Sequence, residues 1–212
     1  MTYTRAIGIG AGKILYSIVR VLALWRIHPN VLTFIGLLIN IGAAILLGSG
    51  KFFYAGLVII GAGLFDMVDG RVARETQRVT RFGAFFDSVV DRYSDLALLM
   101  GLLVYYANIN RNFYVVLTAV VMTASVMISY TRARAENVIP SCKAGFLERP
   151  ERIVLFIIGA LFDRMAAILW VIAVLGNITV IHRMIHTWDV TKAMEAEEES
   201  ATKVLSSTVG GR

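Results

Sequence analysis

The sequence predicts an all-α integral membrane protein, with six transmembrane helices preceded by an N-terminal interfacial amphipathic helix. Three observations predict it. Of 212 residues, 57% are hydrophobic and only 17% charged, and the mean hydropathy is +0.69. Several apolar runs reach or approach the roughly 17–25 residues that cross a bilayer as a helix. Lysine and arginine are gathered at alternate ends of those runs. The single cysteine, Cys142, excludes an internal disulfide framework. The net charge of +6 suits a membrane protein whose basic loops face one side, and nucleic acid is not an expected partner.

Residues 1–28 form the first unit. Lys13, Ser17 and Arg20 recur at helical spacing, while Ile14, Leu15, Ile18, Leu22 and Trp25 cover another face, the pattern of a helix lying in the membrane interface. Inside it, GIGAGK (8–13) has the wrong glycine spacing for a P-loop, and Ile14 stands where a Ser or Thr would be needed. The segment also lacks the apolar core and cleavage site of a signal peptide.

Residues 29–188 form the six-helix domain. Pro29 and Asn30 open a first span, Val31 to about Gly48, and an SGK turn leads to a second, Phe52 to about Arg71. The third span covers about Phe82–Tyr106, the fourth Phe113–Tyr130, the fifth about Phe146–Asp163 and the sixth about Met165–His182. The strictly apolar part of the fifth, Ile153–Phe162, is too short to cross unaided and must borrow a turn from GFLERPER. Residues 189–212 carry EAEEES and read as a polar, solvated tail.

Orientation follows from counting Lys and Arg. One set of ends holds seventeen, with four before residue 28, four in 71–81, five in 132–152 and four from Arg183 onward. The alternate loops hold Lys51, Arg111 and Arg164 only, and Arg92 lies inside the third span. Both termini are therefore expected in the cytoplasm, in a multi-pass protein of the cell membrane.

Against this background FDMVDGRVARETQRVTRFGAFFDSVVDR (65–92) stands out. Asp66 and Asp69 are three apart, and Asp87 and Asp91 four apart, so each pair shares one helical face. If the intervening segment returns the chain antiparallel, four carboxylates converge at the cytoplasmic ends of the second and third helices. Their mutual repulsion is relieved by divalent cations, and an oxygen-only set with no His or Cys favours Mg²⁺ or Mn²⁺. Two such ions suit phosphoryl chemistry. Structural ion pairing and cation transport are the competing readings. Gly70, Ala73 and Gly83 allow close approach of a ligand, and Arg74 could contact a phosphate.

Asp66, Asp69, Gly70, Ala73, Arg74, Gly83, Asp87 and Asp91, eight positions over 26 residues, match the signature of the CDP-alcohol phosphotransferases, and the six-helix layout resembles that family over nearly the whole chain. The resemblance implies transfer of a phosphatidyl group from CDP-diacylglycerol to an alcohol, with release of CMP. It implies that Asp66, Asp69, Asp87 and Asp91 hold two metal ions, and that Asp91 is also the general base. Gly70, Ala73, Arg74, Thr80 and Gly83 would meet the CDP moiety, with Asn30 and Thr33 closing over it. Asp95 continues the i+4 series outside the motif, as a packing residue or a support behind the ligands. A homodimer is expected by resemblance alone.

Arg132 and Arg134 in SYTRARAE, Arg149 and Arg152 in GFLERPER, and Arg183 before HTW gather at three segment ends on the same face. Topology alone explains any one of them; together they fit an acceptor that already carries a phosphate. These segments are similar to those of prokaryotic phosphatidylinositol phosphate synthases and their archaeal ether-lipid relatives. That resemblance implies inositol 1-phosphate as acceptor, held by Arg132, Arg134 and Arg183. Arg132 stands where lysine is expected. Arg152 and Glu151 either support this pocket or cap the fifth helix. Glycerol 3-phosphate, giving phosphatidylglycerol phosphate, is the alternative acceptor, and a divalent-cation transporter the alternative of another class. His28, His182 and His186 form no triad, and Trp25, Trp170 and Trp188 read as interface or packing aromatics.

Overall fold

The computed structural model of the chain describes the backbone of residues 29–75 and 80–209, and the side chains of 30–66 and 80–200. The expected interfacial helix at 1–28 lies outside the described residues. Six helices follow in order: α1 (Pro29–Gly48), α2 (Phe52–Glu75), α3 (Arg81–Asn108), α4 (Asn112–Ala135), α5 (Arg149–Leu161) and α6 (Met165–Val209). No strand occurs among the described residues.

The helices are arranged as three hairpins. At one end of the bundle, α1–α2, α3–α4 and α5–α6 are joined by short turns, each with one residue at positive φ: Gly50 (73°), Asn110 (53°) and Asp163 (53°). Glycine and short polar side chains tolerate that conformation. Lys51, Arg111 and Arg164, the three basic residues of the sparsely charged side, each follow one of these positions. The longer connections, 76–80 and 136–148, lie between hairpins. Packing partners close on themselves in the order α1–α2–α5–α6–α4–α3–α1, so the bundle is a ring.

The ring is filled by one apolar cluster including Ala43, Leu47, Ala55, Ile59, Leu98, Leu99, Leu102, Val121, Leu169 and Ile172. Its outer faces are apolar too, with Phe34, Leu38, Ile45, Leu57, Val116, Trp170, Val174 and Ile181 exposed. Such an exterior is stable only against lipid. α1, α4 and α6 are long and apolar enough to cross a membrane by length and composition, and the first part of α2 is a shorter apolar helix. α3 falls short because its first half carries Asp87, Asp91, Arg92 and Asp95.

Two boundaries differ from the sequence expectation. α5 starts at Arg149 rather than near Phe146, and its 13 residues reach only about 20 Å. The preceding segment is irregular, and side chains of α6 satisfy its backbone. Thr179 Oγ1 accepts from the amides of Phe146 (3.3 Å) and Leu147 (3.2 Å), and Arg183 Nε donates to the Ala144 carbonyl at 2.8 Å. Gly145 has φ +117°, and a Cβ there would strike Thr179 Cγ2. Non-helical backbone persists in such a bundle because protein groups take the place of water. Pro150, in the first turn of α5, removes an amide that no helical carbonyl would have received. The second difference is α6. It does not end near His182 but continues without a break for 45 residues, about 68 Å, so the described part of the polar tail is an exposed helical extension.

α1 and α3 are in close contact at Gly101, where a Cβ would overlap the backbone carbonyl of Ala44. Replacing Gly101 with leucine should force the helices apart and cost about 1–3 kcal/mol, read as a lower unfolding midpoint in detergent micelles.

Candidate active site

The end of the ring with the longer connections gathers the charged residues. Thr80 begins α3: it is extended (φ −120°, ψ 152°), and its hydroxyl accepts from the Gly83 amide at 2.9 Å. This is an ordinary N-cap, and the hydroxyl keeps a proton to donate elsewhere. It also fixes the phase of α3, so that Asp87, Asp91 and Asp95 run down one face. Asp87 is exposed, Asp91 half-buried and Asp95 buried, a ladder that descends into the bundle.

α2 brings Asp66 to the same place, and α1 closes the side. A Cβ at Gly36 would stand 3.2 Å from Asp66 Oδ1, and one at Gly83 would stand 3.4 Å from Asn30 Oδ1. Asn30 therefore meets the start of α3, and Thr33 is buried on the same helix α1. Asp69, Gly70, Ala73 and Arg74 lie on the last turns of α2, and their side chains are outside the described residues.

A guanidinium on α5 ties the carboxylates together. Arg149 Nη2 lies 3.0 Å from Asp66 Oδ2 and 2.9 Å from Asp91 Oδ1, with its Nε 3.7 Å from Asp95 Oδ1. One turn on, Arg152 Nη2 pairs with Asp95 Oδ2 at 2.6 Å, and both side chains are almost wholly enclosed. Thus Asp95 is a partner of Arg152 rather than a member of the upper cluster. α3 and α5 make no close backbone approach, yet these pairs join them across the ring.

Fitness for a divalent ion can be judged from this geometry. Oxygens of α2 and α3 already converge on one cationic nitrogen, and the donors are all carboxylate, the set that hard ions prefer. The described carboxylates do not by themselves form a closed group of three ligands; Asp69, the fourth expected ligand, lies beyond the described side chains. The residues fit a divalent-metal site whose carboxylates are here drawn onto Arg149.

Beside the carboxylates opens a cavity of about 250 Å³ lined by Asp87, Asp91, Arg132, Glu148, Arg149, Arg152 and Arg183, among others. It brings three of the four arginines expected to hold an acceptor phosphate to the same space as Asp91. Arg152 is 2% exposed, and its Nε and Nη1 have no hydrogen-bond partner among the described residues. Arg132 pairs with Glu136 at 3.1 Å and with Glu148 at 2.9 Å. Arg183, also 2% exposed, donates to the carbonyls of Ala144 and Ile128 and lies 3.3 Å from Glu148. Much of its donor capacity therefore fastens α6 to α4 and to the 136–148 connection. Arg134 is not part of this cavity. It is exposed and lines a neighbouring groove with Tyr130, Thr187 and Trp188.

Two residues of the site escaped the sequence assignment. The sequence places Arg149 only within the arginine cluster suited to an acceptor phosphate, not against the aspartates, and assigns nothing to Glu148. The signal for Arg149 was a cluster of buried acids in need of a cation, but its partner Asp66 is 83 positions away. No sequence signal marked Glu148 as the residue bridging Arg132 and Arg183.

The family model for CDP-alcohol phosphatidyltransferase matches residues 26–191. The chain is 35% identical over 164 residues to the archaetidylinositol phosphate synthase of Methanothermobacter thermautotrophicus, covering 74% of this chain and 81% of that protein. It is 36% identical over 171 residues to the phosphatidylinositol phosphate synthase of Mycobacterium tuberculosis, covering 76% and 79%. The crystal structure of a Mycobacterium tuberculosis phosphatidylinositol phosphate synthase with CDP-DAG bound superposes with a TM-score of 0.78 at 34% identity, covering 83% of this chain and 94% of that one. A second structure of that enzyme, in complex with manganese and citrate, gives 0.77 at 34% identity, covering 82% and 88%. An all-helical membrane bundle with a carboxylate ladder at one end fits an enzyme or an ion carrier alike, and the family match decides: the chain belongs to the CDP-alcohol phosphatidyltransferase family. Family membership decides for an enzyme of phospholipid biosynthesis over a cation transporter.

The Asp95–Arg152 pair predicts a specific stability pattern. Asp95→Leu alone strands a buried guanidinium and should cost about 3–5 kcal/mol, whereas Asp95→Leu combined with Arg152→Met should recover most of that loss. Unfolding midpoints of the two variants in micelles check it.

Proposed function

We propose that the protein transfers a phosphatidyl group from CDP-diacylglycerol to inositol 1-phosphate, forming phosphatidylinositol phosphate and CMP. The observation that carries this reading is the single cavity in which Asp91 shares space with Arg132, Arg152 and Arg183. A base and a phosphate-binding wall in one pocket suit an acceptor with a hydroxyl at one end and a phosphate at the other. Arg152 lines that cavity with two nitrogens unpaired among the described residues, donor capacity that a phosphate entering the cavity would use. The names of relatives support inositol phosphate over glycerol 3-phosphate.

Asp66, Asp69, Asp87 and Asp91 would hold two Mg²⁺ or Mn²⁺ ions. When bound, these supply charge neutralisation for the diphosphate and polarise the attacked phosphorus. The remaining work belongs to side chains. Gly70, Ala73, Arg74, Thr80 and Gly83 would receive the CDP moiety, with Asn30 and Thr33 beside it. Asp91 takes the proton of the acceptor hydroxyl as its oxygen forms a bond to the phosphorus bearing the diacylglycerol. The bond from that phosphorus to the bridging oxygen breaks, and CMP leaves with the electron pair. Arg132, Arg152 and Arg183 hold the acceptor phosphate, and Arg134 attracts the anion from the rim. The site's depth suits a lipid donor whose diphosphate lies at the interface.

Six membrane spans, a cell-membrane location with both termini and the site facing the cytoplasm, and a homodimer belong to the same proposal. The same proposal separates a polar tail at 189–212 from the 29–188 domain; its described side chains from Lys192 to Ser200 are exposed.

The test is CMP release from CDP-diacylglycerol in Mn²⁺ or Mg²⁺ with separate acceptors. Inositol 1-phosphate should be preferred over glycerol 3-phosphate, free inositol and serine. Asp91→Asn should lower kcat by about 10²–10⁴, and Arg152→Ala should raise KM for inositol 1-phosphate more than for CDP-diacylglycerol. Preference for glycerol 3-phosphate would overturn the acceptor assignment.

A further inference from the structure

We propose that Arg149 is a built-in counter-cation of the aspartate site. It holds Asp66 and Asp91 together in the metal-free protein, competes with divalent ions for them, and is displaced when those ions bind. This rests on the reading of the aspartates as a metal site.

Three features of Arg149 point to exchange rather than a fixed structural bridge. First, one nitrogen reaches carboxylates of two helices at once, at 3.0 Å on α2 and 2.9 Å on α3, much as a bound ion would. Second, the fit is incomplete. Arg149 Nε and Asp95 Oδ1 are enclosed without a hydrogen-bond partner among the described residues and stand 3.7 Å apart. The neighbouring Arg152–Asp95 pair, at 2.6 Å and with 3% and 7% side-chain exposure, already ties α5 to α3. A second arginine is not needed for that join. Third, Arg149 is the first residue of α5. The positive end of the helix repels a cation there, so the carboxylates alone keep it in place. A side chain at that position can swing away without breaking hydrogen bonds inside α5, and the adjoining cavity gives it room.

The chemical consequence concerns Asp91. While Asp91 Oδ1 is paired with Arg149 that oxygen is held by a cation, so loading of the site and release of that oxygen are one event. The carboxylates are also spared mutual repulsion while the protein folds and inserts without metal.

The experiment compares wild type, Arg149→Gln and Arg149→Lys in micelles. Mn²⁺ binding is followed by paramagnetic resonance, and unfolding midpoints are measured in EDTA and in saturating Mn²⁺. Arg149→Gln should bind Mn²⁺ on the order of tenfold more tightly, the scale of one lost charge-assisted contact. It should be less stable than wild type in EDTA, with the difference closing in saturating Mn²⁺ by linkage. Arg149→Lys, which keeps the charge, should lie nearer wild type on both measures. A stability deficit that persists undiminished in Mn²⁺ would make Arg149 a structural bridge and overturn the proposal, as would unchanged or weaker Mn²⁺ binding by Arg149→Gln. Failure of wild type to bind Mn²⁺ would sink the metal site as well. Acceptor preference enters none of these measurements, so an error in the inositol phosphate assignment leaves them untouched.

Discussion

Charge pairing across the ring is the constraint on which this site depends. α3 descends from solvent into apolar surroundings with a carboxylate every turn, and α5 faces it with Arg149 and Arg152. Neither helix could keep those groups in a membrane alone, because an isolated buried charge is costly in a medium of low dielectric. Together they neutralise one another, and Asp95 with Arg152 lies beneath the more open Asp66, Asp91 and Arg149, where Arg152 also lines the cavity. The shape of α5 follows from the same demand. It is too short to span a bilayer as a helix, and it begins where its arginines meet the acids. The irregular chain before it is supported by Thr179 and Arg183 rather than by helical hydrogen bonds.

Under the proposed function, the same architecture would let two substrates approach without competing for space. α1, the end of α2 and the start of α3 surround the side where Asn30, Gly36 and Gly83 bring helices close. α4, α5 and α6 supply the arginine-lined cavity on the other side of Asp91. Asp91 stands between, half-buried, in reach of both.

The arginines show how the same residue type serves different ends. Topology requires positive charge at this face, and a count of Lys and Arg finds it without distinguishing roles. Arg134 stays at the surface, Arg132 is held by two glutamates, Arg183 is clamped to backbone carbonyls, and Arg152 has two nitrogens without a partner among the described residues. Sequence spacing places these residues near one membrane face; only their partners separate an arginine committed to protein carbonyls from one with donors to spare.

Hydrophobic run lengths determined the six helices, and the i+3 and i+4 spacings determined which aspartates share a face, since both follow from local helical geometry. The eight-position signature determined the family. The sequence by itself could not set the start of α5, because its preceding segment is satisfied by side chains more than thirty residues away. Nor could it set the end of α6, because a polar segment with helical propensity reads the same whether it continues a helix or leaves it. Tertiary structure alone paired Arg149 with Asp66 and Asp91, gave Asp95 to Arg152, and separated Arg134 from the cavity. Those outcomes depend on how helices distant in sequence are rotated about one another, which a linear pattern of residue types does not encode.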